Sequence, residues 1–465
     1  MKGGSQWDNQ KATLRFQNLN NVDAQRVNGC TMHQGHAAGV ELRNATNLVL
    51  SNNVVFNHKQ YGIKVVSSHS WTLDGNKIFD IKRREWAVPS DMEIDTEGGI
   101  FYCPEYGNDC SDFSVKNNIV GGAYLGGIFA MTDPCGSSTA RNENNVVHSI
   151  DRAGAILFPD PNADYGDENC HQFSNFAAYK CKEDGIVAIH EFNMLNVTDV
   201  TLIDNLYGIS LQLSPQSGNT EAFIHNSHIY GNTLSGNSVC HDKIGVHLSS
   251  GQSGGKSHTP SAPQLPWHKV KSYPPREQTL TVSGSNFHNF DGPFTCGANT
   301  FHTFAFANNE AASDNGALNY VQDSTFTNVC SSCVAHIADP DPGWIAIDNC
   351  GDFACTYPMN TYLKLTNINE AGSITPGLGI STGSKHVIPN NPGVANSFAG
   401  ISALDTDMNV HLNTGDNVAV LVFESLDSDK EDRTVAPIIM TDDASTYSNT
   451  LNAFQDHVWD GFYTG

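Results

Sequence analysis

The sequence predicts an all-β protein, a right-handed parallel β-helix with coils of about 23 residues, loop insertions and a β-rich C-terminal part. Three observations predict it: a glycine-led marker that recurs along the chain, an asparagine-led marker in phase with it, and short β-branched runs between turn residues. A helical solenoid would need apolar residues at positions i, i+3 and i+4, and Asn and Gly form helices poorly. The repeat therefore favours stacked strands.

The first marker is a glycine followed by an aliphatic or aromatic run. Its shortest interval is 23 residues, from Gly39 to Gly62 and from Gly185 to Gly208, and the longer intervals indicate insertions. We expect the glycine to let the chain turn tightly into each strand. The side chains that should stack as an inward apolar ladder are Val40, Ile63, Ile100, Ile128 and Ile209.

The second marker is an asparagine that precedes another short apolar run. Its copies are Asn53, Asn76, Asn118 and Asn145. Asparagine side chains bond readily to nearby backbone groups, and identical amides can stack into ladders. We therefore expect these four residues to share one corner of the solenoid and to bond the backbone and one another.

Composition limits the function classes. The 465 residues include 25 basic and 49 acidic side chains, a formal net charge of -24. That charge would be repelled by nucleic acid and by anionic membranes, so both are set aside as partners. No run of apolar residues is long enough to span a bilayer, so no membrane insertion is expected from this segment.

Cysteines and sequons favour an extracellular location. The chain has 12 cysteines, an even number that is typical of an oxidising compartment. Short spacings make three pairs plausible as staples: Cys103 with Cys110, Cys170 with Cys181, and Cys350 with Cys355. The sequons at Asn44 and Asn196 are candidate N-glycosylation sites. No signal peptide is visible at the start, so we expect a segment of something longer.

The interruptions of the repeat define the domain organisation. Residues 1–348 are predicted to form the β-helix, with inserted loops at 84–97, 159–184 and 249–277. Residues 349–465 are predicted to be further coils or a small β module, and the pattern does not decide between them.

Candidate binding groups lie in the longest insertion. The loop 249–277 mixes aromatic and basic residues, and Trp267, Lys269 and Tyr273 are its candidate ligand contacts. Such a mixture could stack on a sugar ring or dock an acidic partner, although a solvated linker is the simpler interpretation. Glycans are therefore candidate partners.

No catalytic residue can be assigned. A polysaccharide hydrolase needs two carboxylates poised around one bond, and the Asn-Thr-Asp and Arg-x-Lys signatures of pectinases are absent. No HExxH motif or EF-hand spacing occurs, so no metal site is predicted. Calcium is the one cofactor that the acidic inserts could hold. An enzyme is less favoured than a non-enzymatic role.

Several short motifs, in a fixed order, resemble the parallel β-helix region of fibrocystin and fibrocystin-L and the segment downstream of it. They include Asn28-Gly29-Cys30, the run from Gly127 to Asp133-Pro134-Cys135, and Phe454-Gln455-Asp456-His457. The resemblance covers roughly residues 13 to 460. It implies a large extracellular or membrane-anchored glycoprotein at cilia and cell surfaces, with a receptor, adhesive or structural role.

Three functions follow as hypotheses. The first is an extracellular structural glycoprotein of a cell-surface, ciliary or flagellar coat, which could self-assemble into filaments through β-helix stacking or join other surface glycoproteins. The second is a glycan-binding, adhesion or receptor module. The third is a polysaccharide hydrolase or lyase.

Overall fold

We describe a computed structural model of the chain. It describes residues 12–19, 23, 25–83, 97–102, 110, 112–137, 140–159, 170–189, 192, 194–212, 220–233, 243–249, 278–290, 301–307, 318–329, 335–337, 362–371, 384–389, 403–405, 410–413, 420–421 and 463–464. Every regular element in these residues is a β-strand. The all-β fold class is confirmed.

The strands follow one another closely along the first half of the chain. They are β1 (Leu14–Leu19), β2 (Gln25–Asn28), β3 (Thr31–His33), β4 (Val40–Ser51), β5 (Val54–Phe56), β6 (Tyr61–Val66), β7 (His69–Asp74), β8 (Lys77–Ile81), β9 (Gly98–Tyr102), β10 (Phe113–Lys116), β11 (Ile119–Ala123), β12 (Gly126–Met131), β13 (Asp133–Pro134), β14 (Asn142–Glu143), β15 (Asn145–His148), β16 (Ala153–Phe158), β17 (Cys170–Tyr179), β18 (Asp184–Ile189), β19 (Met194–Ile203), β20 (Tyr207–Gln212), β21 (Thr220–His225) and β22 (His228–Tyr230).

The second half continues in the same manner. Its strands are β23 (Lys243–Ser249), β24 (Gln278–Ser283), β25 (Asn286–Phe290), β26 (Phe301–Ala307), β27 (Leu318–Gln322), β28 (Thr325–Val329), β29 (Ala335–Ile337), β30 (Tyr362–Thr366), β31 (Asn369–Ala371), β32 (Ser384–Pro389), β33 (Ala403–Asp405), β34 (Val410–Asn413), β35 (Val420–Leu421) and β36 (Tyr463–Thr464).

Each coil contributes strands to three parallel faces in turn. The first face stacks β1, β4, β6, β9, β12, β16, β18, β20, β23, β26 and β29. The second face holds β2, the far half of β4, β7, β10, β14, the near halves of β17 and β19, β21, β24, β27 and β30. The third face holds β3, β5, β8, β11, β15, the far halves of β17 and β19, β22, β25, β28 and β31.

The interior is the predicted apolar ladder. Val40 pairs with Ile63, Ile63 with Ile100, and Ile100 with Ile128, and all four side chains are buried. Ile209 lies in the same column several coils further on. Such stacking removes apolar surface from water at about 25 cal/mol per Å².

The marker glycines serve a purpose that differs from the prediction. Their φ angles are not in the left-handed region, so no tight turn requires them. Glycine is required because there is no room for a side chain. A Cβ on Gly127 would lie 2.5 Å from the carbonyl oxygen of Gly154, and a Cβ on Gly154 would lie 2.6 Å from the carbonyl oxygen of Gly185. The glycines form a column in which successive coils approach too closely for any side chain.

The predicted asparagine ladder is confirmed. Asn118 accepts hydrogen bonds from the backbone N and the Nδ2 of Asn76, each at 3.0 Å, and its own Nδ2 donates to Leu73 O and Asn145 Oδ1, also at 3.0 Å. The carboxamide thereby uses both donors and both acceptor positions. Successive ladder positions, starting at Cys30, lie 23, 23, 42 and 27 residues apart, so insertions lengthen a coil without breaking the ladder.

A column of left-handed residues precedes the ladder position. The turn demands positive φ, which Asn, Asp and Gly tolerate best. The column comprises Gly29, Asn52, Gly75, Asn117, Asn144, Asn175, Asp199, Asn226, Gly284, Asp323 and Asn367. Beyond Asn145, the ladder position passes to apolar residues and then to serines, where Ser227 N donates to Ser285 Oγ at 3.2 Å and Ser285 N to Ser324 Oγ at 3.2 Å.

The described strands differ from the predicted loop 159–184, and they add detail to the C-terminal part, where the pattern left further coils or a small β module open. Residues 170–179 lie inside the predicted loop 159–184 but form strand β17, which pairs in parallel with β15 and β19. In the C-terminal part, β30 and β31 add a further coil, whereas β32 pairs antiparallel with β30 and with β34. The antiparallel strands therefore cover the C-terminal edge of the second face.

Candidate ligand-binding face

The predicted ligand contacts and several cysteines cannot be placed. The residues concerned, Trp267, Lys269, Tyr273, Cys103, Cys350 and Cys355, lie outside the described residues, and these assignments stay predictions. Cys110 is disulfide-bonded, but its pairing with Cys103 stays a prediction for the same reason.

Both sequons lie on outer turns or outward strand positions. Asn44 is exposed and left-handed, with φ 48°, and its Nδ2 donates to Asn18 Oδ1 at 3.3 Å. Asn196 is half-buried on β19, where Thr198 Oγ1 donates to its Oδ1 at 3.0 Å. Glycosylation of either residue stays a prediction.

The predicted pair Cys170–Cys181 is wrong. Cys170 bonds Cys135 instead, with the two Cα atoms 5.2 Å apart, because β13 runs antiparallel to the start of β17. Strand β17 separates Cys170 from Cys181, whose free thiol is buried in the interior beside Gly154. Burial raises the pKa of the Cys181 thiol to about 12, so it is a poor nucleophile.

Aromatic and imidazole side chains recur on the outer surface of the third face. We call two adjacent outward columns the third-face stripe. The first column is Thr31, Val54, Lys77, Ile119, Val146, Ala177, Thr201, His228, Asn286, Thr325 and Asn369, and the second is His33, Phe56, Phe79, Gly121, His148, Tyr179, Ile203, Tyr230, His288, Thr327 and Ala371.

Rings in the stripe stack along the axis of the solenoid. The ring centroids of His148 and Tyr179 are 4.9 Å apart, and those of Tyr230 and His288 are 4.4 Å apart, with interplanar angles of 13° and 10°. Each pair therefore places an imidazole and a phenol on adjacent coils, at about the strand spacing of 4.8 Å. Ile203 separates the two pairs. Phe56, which follows His33 in the second column, is 44% exposed.

The stripe is free of carboxylates although the chain is strongly acidic. Neither column contains Asp or Glu, while the whole chain has 49 of them. Partial burial lowers the pKa of His148 and of His288, and for His288 the neighbouring His228 lowers it further. At neutral pH His148 and His288 are thus mainly uncharged, hydrogen-bonding groups.

A second unusual site lies on the outer side of the first face. Asp184 is buried there and accepts a short hydrogen bond from Ser210 Oγ. The adjacent coil places Tyr207 beside Asp184, and the Tyr207 ring stacks on His247 with centroids 5.1 Å apart. Burial raises the pKa of Asp184 to about 7, with a smaller contribution from Glu183.

This buried cluster could supply a proton but lacks the arrangement of a glycoside hydrolase. Such an enzyme needs a matched pair of carboxyl groups on either side of the scissile bond. Glu183 is half-buried next to Asp184. Two further buried carboxylates lie at other coils: Glu97 directly before β9, and Glu41 between Arg15 at 3.2 Å and Arg43 at 3.0 Å. The hydrolase hypothesis stays a prediction.

Sequence reasoning missed the stripe, although a signal for it exists. Each ring position follows the ladder position by three residues: Phe56 follows Asn53, Phe79 follows Asn76 and His148 follows Asn145. An aromatic or imidazole residue at that offset could have been found once the ladder was recognised.

Two further features are defined for the described residues alone. No three His, Cys, Asp or Glu side chains there come together as a metal site. The described segments also contain no helix that is long and apolar enough to cross a membrane. The calcium hypothesis concerns the acidic inserts at 84–97 and 159–184, most of which lie outside these residues.

Comparison with known proteins defines the class first. A family model described as "Right handed beta helix region" matches residues 8–158. Together with the parallel faces, this match makes the chain a right-handed parallel β-helix protein. Among solved structures, PfbA, a surface adhesin of Streptococcus pneumoniae, aligns over 86% of this chain and 84% of its own, with 9% identity and a TM-score of 0.27.

The resemblance to fibrocystin and fibrocystin-L is confirmed at low identity. Dog fibrocystin is 23% identical over 284 residues, 56% of this chain and 6% of the relative. Mouse and human fibrocystin-L are each 22% identical, over 94% and 97% of this chain and 11% and 12% of the relatives. The chain is similar to these proteins and spans 6% to 12% of their length. They support a β-helix protein of the cell surface or the extracellular space.

Proposed function

We propose that this chain is an adhesive β-helix module of an extracellular or cell-surface protein, and that it binds extended glycans along the third-face stripe. The proposal is based on the third-face stripe, where half-exposed rings, hydroxyls and amides follow one another along a chain that is otherwise acidic. Sugars bind proteins through hydrogen bonds combined with contact to ring edges and faces, and the stripe offers both.

The proposal is tested by glycan-array binding of the purified chain with paired variants. Tyr230→Ala and Tyr179→Ala remove two stripe rings without touching the interior, so binding should fall at least severalfold. Phe223→Ala is the matched control, because Phe223 is a half-buried ring on the second face. An array without hits, or stripe variants that bind like the control, would contradict the proposal.

A structural coat protein is the second candidate. The saturated asparagine ladder and the Cys135–Cys170 disulfide tie successive coils together, which suits a load-bearing surface layer. Cilia and flagella are the surfaces that the family resemblance suggests for such a coat. Filaments formed from this chain would support the second candidate, and their formation is considered in the Discussion.

A further inference from the structure

We propose that the third-face stripe is selective for uronate-bearing polysaccharides, whose carboxylates would pair with stripe histidines. This inference rests on the proposed glycan-binding function and names the class of glycan. Its starting point is charge: a chain of net charge -24 leaves both stripe columns without a single carboxylate. The absence of carboxylates from the two columns lowers repulsion toward an anionic ligand along them. The carboxylate next to the stripe on β8, Asp80, is paired with Lys82 at 3.2 Å.

The histidines of the stripe are grouped where they can act on one strand of ligand. His228 and His288 occupy adjacent coils with ring centroids 6.3 Å apart, and Tyr230 stacks on His288. Just outside the stripe, His225 Nδ1 lies 2.6 Å from Ser283 Oγ. Imidazole and hydroxyl groups thus converge at one end of the stripe.

His148 is a second candidate contact for the ligand, on a different coil of the solenoid. The adjacent strands place Gly121 and Tyr179 beside it, with Phe79 one coil further away and Ser149 Oγ 3.3 Å from its Nδ1. The strands beside His288 bring only His228, Tyr230 and Thr327 to its ring. Neither histidine faces a carboxylate from its own strand or from a neighbouring strand of the third face, so an incoming anion meets no competitor there.

The shape of the stripe favours a polysaccharide over a folded partner. Protein interfaces bury protruding aromatic anchors in pockets, whereas the rings here stack on each other and present a flat row of edges. A linear polymer with hydroxyls at regular intervals can follow such a row across several coils, at about 4.8 Å per strand.

The type of cation favours a sparsely charged polymer. Lys77 is the one lysine or arginine in the two columns, and the other cationic groups are histidines. Densely sulfated chains are bound through clusters of Arg and Lys, which bring permanent charge. A uronate polymer, with a weaker and more widely spaced charge, matches His148 and His288, whose lowered pKa leaves them neutral at pH 7 and charged only at lower pH.

Protonation of the stripe histidines should make binding of a uronate polymer tighter as the pH falls. Partial burial lowers the pKa of His148 and of His288, so both are neutral at pH 7.5 and charge as the pH falls. A bound carboxylate stabilises the charged imidazole, so ligand binding and protonation strengthen each other. Uronates stay ionised above about pH 4, which leaves a window in which both partners are charged.

The test measures binding of three polymers to the whole chain by calorimetry at pH 7.5 and pH 5.5. The probes are polygalacturonate, the sulfated polymer heparin and the neutral polymer dextran. We expect polygalacturonate to bind about tenfold more tightly at pH 5.5, since a carboxylate that raises the pKa of one imidazole by about one unit gains about tenfold in affinity once that imidazole is protonated. The double variant His148→Gln/His288→Gln should lose this gain, and His36→Gln, an exposed histidine outside the stripe, should keep it.

The outcomes separate the two proposals. Equal binding of dextran and polygalacturonate without a pH effect would overturn the uronate inference and leave glycan binding intact. Tighter binding of heparin through the same histidines would overturn it in favour of sulfated chains. If none of the three polymers bound and the glycan array also showed no binding, the proposed glycan-binding function would be wrong.

Discussion

Asp184 shows how a single residue can carry a strong environmental signature without a sequence motif. Its carboxyl group lies on the outward side of the first face, yet it is buried and bonded to Ser210. The unfolded chain loses this proton near the ordinary pKa of 3.8, whereas the folded chain keeps it up to about 7. Asp184 therefore favours folding most below pH 3.8, and that contribution is lost as the pH rises through about 7.

The variant Asp184→Asn should flatten this dependence. Asparagine keeps the size of the side chain but does not titrate, so the free energy of unfolding should fall less between pH 4 and pH 7 than in the parent chain. Urea unfolding at several pH values measures the slope. Asp112→Asn is the control, since Asp112 is exposed. An unchanged slope in Asp184→Asn would show that Asp184 ionises normally in the folded protein.

Residue identity foretold the asparagine ladder but not the acid cluster. The ladder can be recognised in the sequence because the same side chain recurs at the same position of the repeat, at Asn53, Asn76, Asn118 and Asn145. Asp184 is one acid among 49, and only the register of two adjacent coils shows that Ser210 and Tyr207 lie beside it. No local pattern could have separated it from a solvated surface carboxylate.

At the scale of the strand, glycine is the residue that sets how closely coils approach. Gly127 illustrates this, because a Cβ there would meet the carbonyl oxygen of Gly154 at 2.5 Å and the side chain of Val147. Gly127→Ala should therefore lower the free energy of unfolding by about 1–3 kcal/mol, the range for an overpacked interior. Thermal or chemical unfolding followed by circular dichroism provides the measurement.

Gly29 supplies the matched control for that substitution. It is left-handed, with φ 68°, and among the described residues no atom lies within 4 Å of the point that a Cβ would occupy. Gly29→Asn should therefore cost well under about 1 kcal/mol, because asparagine tolerates the left-handed conformation. If both variants were equally stable, the glycine column would not be a packing requirement.

The sequence pattern located the glycines correctly and misjudged their role. A recurrent glycine is typical both of turns that need positive φ and of close backbone approach, and the sequence does not distinguish the two. The same ambiguity affected the disulfides: the spacing of Cys170 and Cys181 is short, but the extended strand β17 lies between them. Strand β17 was not predicted because its residues were assigned to the acidic insert 159–184.

At the scale of the whole molecule, the ends of the solenoid decide whether copies can stack. The edge of β30 on the second face pairs with the antiparallel strand β32, and β32 pairs in turn with β34. A paired edge cannot template a further parallel coil from another molecule. End-to-end growth through this end would require the antiparallel strands to be displaced.

Electron microscopy of the purified chain at high concentration should therefore show separate particles. Long fibres in which the C-terminal edge contacts the next subunit would contradict this expectation and strengthen the coat hypothesis. Analytical ultracentrifugation over a concentration series provides the complementary measurement, with a constant sedimentation coefficient as the expected result.

The ladder register has a consequence for how such a molecule can change over evolutionary time. Successive ladder residues are separated by 23, 23, 42 and 27 positions, yet their amides meet with nearly identical bond lengths. Insertions and deletions at the corners therefore leave the stacked coils intact. New sequence can be added at a corner without lowering the stability of the other coils. The same corners are where an engineer would graft a peptide epitope.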